Sequence, residues 1–218
     1  MPLTLREAVS VKGQGIVNED EFCCIRHAAW VLDGASGVGV QRLPASTDAE
    51  WYVRKFSAIL QDQLAISPEA ESRELLRNAT RILHHRYQET LAGSAPEFPP
   101  SAANIMARDK EHHIEICALG DCAAMCRTID GSFIYIEGNE SAIDGASLSK
   151  LRAAQRDFPE ASHDDIRAHL RPALRENRAR MNRPDGYWIL SLEDTAIDHM
   201  HIIDVETDRH SPVLLMTD

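Results

Sequence analysis

Residues 18–34, NEDEFCCIRHAAWVLDG, hold two apolar-rich runs on either side of a short turn at His27-Ala28, the pattern of a β-hairpin. With Arg26 facing Ala29, the pairing sets Phe22 against Asp33 and Glu21 against Gly34. Each residue advances a strand by only about 3.4 Å, so Glu19 and Asp20 come to lie near Asp33. Three carboxylates therefore converge at one end of one hairpin.

The rest of the chain follows in blocks. Beyond the glycine-rich DGASGVGV (33–40), TDAEWYVRKFSAILQDQL (47–64) opens with Thr47 and Glu50 at capping-box spacing, and Ala49, Val53, Phe56, Leu60 and Leu64 recur on one helical face. A second helix is expected over 67–93, with Ser67 as its cap, Pro68 in its first position and Gly93 past its end. Its apolar stripe is Leu75, Leu76, Ala79, Ile82 and Leu83. Strand patterns follow in AANIMAR (102–108), HIEICALG (113–120), AAMCRTI (123–129) and SFIYIEG (132–138), the last two joined by an Asp130-Gly131 turn. Residues 142–181 read as helical, with Pro172 expected to kink or break the second piece. HMHIIDVE (199–206) and VLLMT (213–217) close the chain as strands, the latter tipped by Asp218. Strands, helices, strands, helices, strands, without a linker or repeat, point to an α+β layered fold and one domain over 1–218.

Composition narrows the function. A net charge of −11 repels phosphate backbones, so nucleic acid is not the expected partner. No apolar stretch approaches the roughly 20 residues a membrane span needs, and the N-terminus lacks a signal-peptide layout. The five cysteines include the adjacent Cys23-Cys24, and Cys117, Cys122 and Cys126 fit neither a zinc knuckle nor a disulfide framework. Reduced, mostly buried thiols in a cytoplasmic protein are the expectation. The sequence carries no signal for an oligomeric state.

Acidic residues recur where the expected strands end: Glu19-Asp20, Asp33 before Gly34, Asp121 after Gly120, and Asp218. Oxygen donors of this kind suit hard, hexacoordinate cations such as Mg²⁺ or Mn²⁺. Any single one of these aspartates is explained as well by the turn preference of Asp; the recurrence at several strand ends is what suggests a metal.

In order along the chain, NEDEF (18–22), VLDGASG (31–37), SAANIMARD (101–109), ALGDCAA (118–124), GYWILS (186–191) and LLMTD (214–218) resemble the PP2C-type, metal-dependent serine/threonine protein phosphatases, bacterial members in particular. The resemblance spans nearly the whole chain. It implies a four-layer α-β-β-α sandwich around two central antiparallel sheets, here lacking its C-terminal helix and strand. It implies two Mg²⁺ or Mn²⁺ ions, or three where Asp121 takes part. Asp33 would bridge the two ions with the Gly34 carbonyl as a further ligand, Glu19 and Asp20 would hold the second ion directly or through water, and Asp218 the first. Asp33 and Asp20 would be the catalytic pair, and a phosphorylated protein the substrate. Because relatives run on past the position of Asp218 to a last metal-binding aspartate, a continuation of the chain is expected. Two positions depart from the pattern: Gly15 stands where many members carry a phosphate-gripping arginine, and Ala35 where eukaryotic members carry a histidine. Gly15, together with the last metal-binding aspartate expected only beyond Asp218, makes a non-catalytic module that binds a phosphorylated or signalling partner the alternative reading.

His199 and His201 would face one way on an extended strand, but exposed strand histidines are commoner than chelating ones. Trp30, Trp51 and Trp188 read as packing.

Overall fold

The hairpin forms as its alternation requires. In the computed structural model, which describes residues 3–13, 17–35, 38–91, 95–111, 113–138, 142–208 and 210–217, β1 (Asp20–Ile25) pairs antiparallel with β2 (Ala28–Gly34). The turn falls on Arg26-His27, one residue earlier than expected, because Ile25 and Ala28 form the last ladder pair and a two-residue connection suffices. The register therefore slides by two: Asp20, not Phe22, stands opposite Asp33. A slide of two keeps every side chain on its expected face.

Six further strands follow: β3 (Ala102–Asp109), β4 (Ile114–Leu119), β5 (Ala123–Arg127), β6 (Phe133–Glu137), β7 (His201–Val205) and β8 (Val213–Met216). They form a five-stranded sheet in the order β1-β2-β3-β4-β7 and a three-stranded sheet in the order β6-β5-β8, with every pairing antiparallel. At the β5–β6 turn Gly131 takes φ +87°, a conformation that costs glycine little. Beside it the Asp130 carboxylate accepts from the Thr128 hydroxyl and then from the Ser132 N–H and hydroxyl, which holds its pKa down at about 2.

The helices are α1 (Asp48–Ile66), α2 (Ser72–Thr90), α3 (Ala142–Asp157) and α4 (His163–Arg178). α1 starts as its sequence dictates: the Thr47 hydroxyl accepts from the Glu50 N–H at 3.1 Å, and the Glu50 carboxylate accepts from the Ser46 N–H at 2.9 Å. Its apolar face and that of α2 pack on the larger sheet, where Trp30, Tyr52, Phe56, Leu76 and Leu83 are fully buried. The Trp30 indole N–H donates to Ser57 Oγ at 3.0 Å. The opposite face of that sheet meets the smaller sheet through Ile105, Ile116, Ala124, Cys126 and Ile136. Of the four expected layers three are thus plain. The outer face of the smaller sheet leaves Phe133, Tyr135 and Leu214 exposed, while α3 and α4 pack on each other. No described helix is long and apolar enough to cross a membrane. The five thiols are free, with Cys117, Cys122 and Cys126 buried.

Three local expectations change. α2 begins at Ser72 rather than after Ser67, because Arg108 claims the carbonyls that a longer helix would need. Its guanidinium donates to Pro68 O at 2.6 Å, Ala70 O at 2.7 Å and Ser72 Oγ at 2.9 Å. α4 runs through Pro172 without ending there, started by a capping box of Ser162 with Asp165 and continued to Arg178. His199 ends a 3₁₀ helix (Asp194–His199) and stacks on Trp188 at 3.5 Å between ring centres, so it does not share a strand with His201.

Arg108 also faces Glu115 across the β3–β4 ladder, both residues buried, and Ser72 donates its hydroxyl to the same carboxylate. Removing one partner of a buried charge pair leaves the other uncompensated. Arg108→Met should therefore cost about 3–5 kcal/mol in urea denaturation. The double variant Arg108→Met/Glu115→Leu should recover only part of that loss, since it removes the stranded carboxylate but still leaves the Pro68 and Ala70 carbonyls without their donor.

Candidate metal centre

Alternation along β2 sends Ala28, Trp30 and Leu32 toward the helices and Val31 toward the smaller sheet, so Asp33 points between the sheets. Asp20, its ladder partner, shares that face. Asn18 starts β1 by accepting the Asp20 N–H on its side-chain oxygen at 3.0 Å while donating to Ser10 Oγ at 2.7 Å. The first ladder residue is thus fixed by the side chain two positions before it.

Glu19 lies on the other side. A Cβ built on Gly34 would point toward the helices and meet both Ala49 Cβ and Glu19 Cβ at 3.2 Å. The same Cβ would meet the Glu19 carbonyl oxygen at 2.5 Å, so position 34 has no room for a side chain. That closeness accompanies a hydrogen bond from the Gly34 N–H to Glu19 O at 3.1 Å, which closes the open end of the hairpin.

β3 runs beside β2 with Ala103 opposite Asp33 and Ala102 opposite Gly34. Next along, Gly120 leaves β4 at φ +87°, and a Cβ there would stand 2.6 Å from Ala103 Cβ. Ala103 and Gly120 keep the floor beside Asp33 low and bring Asp121 to the same end of the sheet. Cys122, 1% exposed, reports the convergence: burial, then the charges of Asp33 and Asp121 and more weakly of Asp20, push its thiol far above the usual range. The three aspartates, from three separate segments, lie at one end of the larger sheet. Asp218 and Gly15 lie outside the described residues.

As a donor set the carboxylates of Asp20, Asp33 and Asp121, with the Gly34 backbone beside them, suit a hard divalent cation. Among the described residues no three acidic, histidine or cysteine side chains already stand together at a distance that would hold an ion. The described residues thus provide a facing pair with a third aspartate close by, not a closed cage. Two features were not legible beforehand. Cys122 reads in sequence as one more buried thiol, and nothing in RENRARMNR (175–183) singles out Arg178, whose guanidinium is 9% exposed and donates to the Ala35 carbonyl at 3.3 Å.

No family model and no curated protein matches this sequence. Solved structures do match. The serine/threonine phosphatase PstP/Ppp of Mycobacterium tuberculosis superposes with a TM-score of 0.55 at 12% identity, covering 96% of this chain and 75% of that one. The catalytic domain of PstP in complex with two manganese ions superposes with a TM-score of 0.54 at 14% identity, over 95% of this chain and 74% of that one. This chain has the fold of the PP2C-type serine/threonine phosphatases. In a PP2C-type fold the expected α+β class and the two antiparallel sheets are both observed.

Like charges directly opposite on a ladder repel. Asp20→Asn should therefore raise the stability of the metal-free protein by about 0.2–1 kcal/mol. It should also shrink the rise in melting temperature that Mn²⁺ produces, because stabilisation by a ligand rises and falls with the logarithm of its affinity. Thermal melts with and without Mn²⁺ check both signs.

Proposed function

We propose that this protein is a metal-dependent phosphatase acting on phosphomonoesters, with phosphoserine and phosphothreonine on proteins as its substrate class. The observation that carries this reading is the Asp20–Asp33 ladder pair facing the space between the sheets, with Asp121 at the same end of the larger sheet. Support comes from the fold, whose solved examples include a manganese-bound serine/threonine phosphatase.

In this reading Asp33, Asp20, the Gly34 carbonyl, Asp121 and Asp218 would hold Mg²⁺ or Mn²⁺ ions, with Glu19, on the helix side of β1, reaching them through water. Such ions would supply Lewis-acid activation of water for attack on phosphorus. The chain's own contribution is placement. The β1–β2 ladder holds Asp20 and Asp33 at one height, and the Gly34–Glu19 hydrogen bond keeps the strand ends from splaying. The binding of a phosphorylated protein and a cytoplasmic setting belong to the same proposal.

Hydrolysis of an aryl phosphate with Mn²⁺, with and without EDTA, tests it. The protein should turn over with Mn²⁺ and stop with EDTA. Asp33→Asn should lower the rate by more than about 100-fold, since even the outer partners of a metal ligand are worth about 10- to 100-fold. Undiminished hydrolysis by Asp33→Asn would move the centre elsewhere. Mn²⁺ binding without any hydrolysis would instead mark a module that binds phosphoproteins without cleaving them.

A further inference from the structure

α4 ends against the candidate centre. Arg178, its last residue, is 9% exposed. Its Nη1 donates to Ser101 Oγ and approaches Met181 Sδ at 3.8 Å, and its Nη2 donates to Ala35 O at 3.3 Å. Ser101 and Ala35 are themselves joined, the Ala35 N–H donating to Ser101 O at 3.0 Å. Each directly abuts a paired residue, since Ala35 follows Gly34 and Ser101 precedes Ala102, and Gly34 and Ala102 are ladder partners. One guanidinium thus bridges the exit of β2 and the entry of β3, immediately beyond Asp33. Downstream of α4, the chain returns to the same place, where Leu190 exchanges backbone hydrogen bonds with Ala102 at 2.9 and 3.1 Å.

Arg175, one turn earlier, shows what a plain anchor looks like. It is 41% exposed, pairs with Glu97, and lies 5.8 Å from the Phe98 ring. That contact ties the helix to the loop before β3 at the surface. Arg178 differs in being buried, and in reaching the Ser101 hydroxyl and the Ala35 carbonyl, on the two strands that flank the Asp33–Gly34 corner. A planar guanidinium can hold two acceptors at once in fixed directions, which an ammonium cannot.

We infer that Arg178 is a positioning residue: from the end of α4 it fixes the Ala35 and Ser101 backbone, and through them the direction of the Gly34 carbonyl and the Asp33 carboxylate toward a divalent cation. This rests on the phosphatase reading for what the corner holds. The role is that of an outer partner that orients ligands, and such partners are commonly worth about 10- to 100-fold in metal affinity.

The test compares wild type, Arg178→Gln, Arg178→Lys and Arg175→Gln in calorimetric Mn²⁺ titration, amide hydrogen exchange and aryl phosphate hydrolysis. Arg178→Gln should bind Mn²⁺ about 10- to 100-fold more weakly. Its Gly34 and Ala35 amides should exchange faster, while those in the middle of β3 and β4 stay protected. Activity should need more Mn²⁺ for half-saturation but approach the wild-type rate at saturating metal, a split that general destabilisation does not produce. Arg178→Lys, which keeps the charge and the fold but not the fork, should fall between. Arg175→Gln should leave Mn²⁺ affinity unchanged. Wild-type affinity in both Arg178 variants, or an equal loss in Arg175→Gln, overturns the inference while leaving the phosphatase reading intact. A wild-type protein that takes up no Mn²⁺ overturns that reading, and the inference with it.

Discussion

Two carboxylates face each other across a ladder, and the site geometry follows from that constraint. The β1–β2 register sets Asp20 opposite Asp33 on the face that looks into the space between the sheets. Left alone, the pair destabilises the hairpin. What keeps it closed is a set of close backbone approaches that only small residues allow. Gly34 lets the Glu19 carbonyl come within hydrogen-bonding reach, and Gly120 lets the end of β4 fold over Ala103. The sheet end is tightly built where the charges would push it apart. Stability given up at a cluster of like charges and compensated by surrounding structure is the pattern expected where binding a cation is the purpose.

The two ends of the larger sheet divide their tasks. At the end away from the centre, Arg108 and Glu115 form a buried charge pair that fastens the α1–α2 connection to β3 and β4. That pair neutralises itself within the protein. At the other end lie Asp20, Asp33 and Asp121. A single sheet therefore carries one internally satisfied polar cluster and one acidic cluster, with the central strands β3 and β4 holding the two apart.

Most of the fold was legible because hydrophobic alternation fixes strand faces. The hairpin and the packing role of Trp30 came out right even though the turn sat one residue earlier than expected, since a shift of two in register preserves parity. The start of α2 was not legible because Ser67-Pro68 is a good local helix start, and only a distant residue, Arg108, draws those carbonyls away. His199 misled for a similar reason. Its apparent alternation with His201 was broken by a 3₁₀ turn and a stacking partner, Trp188, from elsewhere in the chain. The aspartates were visible as strand-end carboxylates, and their faces followed from alternation. The same alternation sends Glu19 to the helix side, whereas what pattern could not show was that Arg178 reaches the Ala35 carbonyl, because that depends on contact between segments remote in sequence.

The central claim is that the corner at Asp33 seats a divalent cation. Anomalous diffraction at the manganese edge from crystals grown with Mn²⁺ tests it most directly. The account predicts anomalous density against the Asp33 carboxylate, with Asp20 and the Gly34 carbonyl beside it. Manganese bound only elsewhere on the molecule, with the Asp20–Asp33 ladder intact and bare of density, would contradict it.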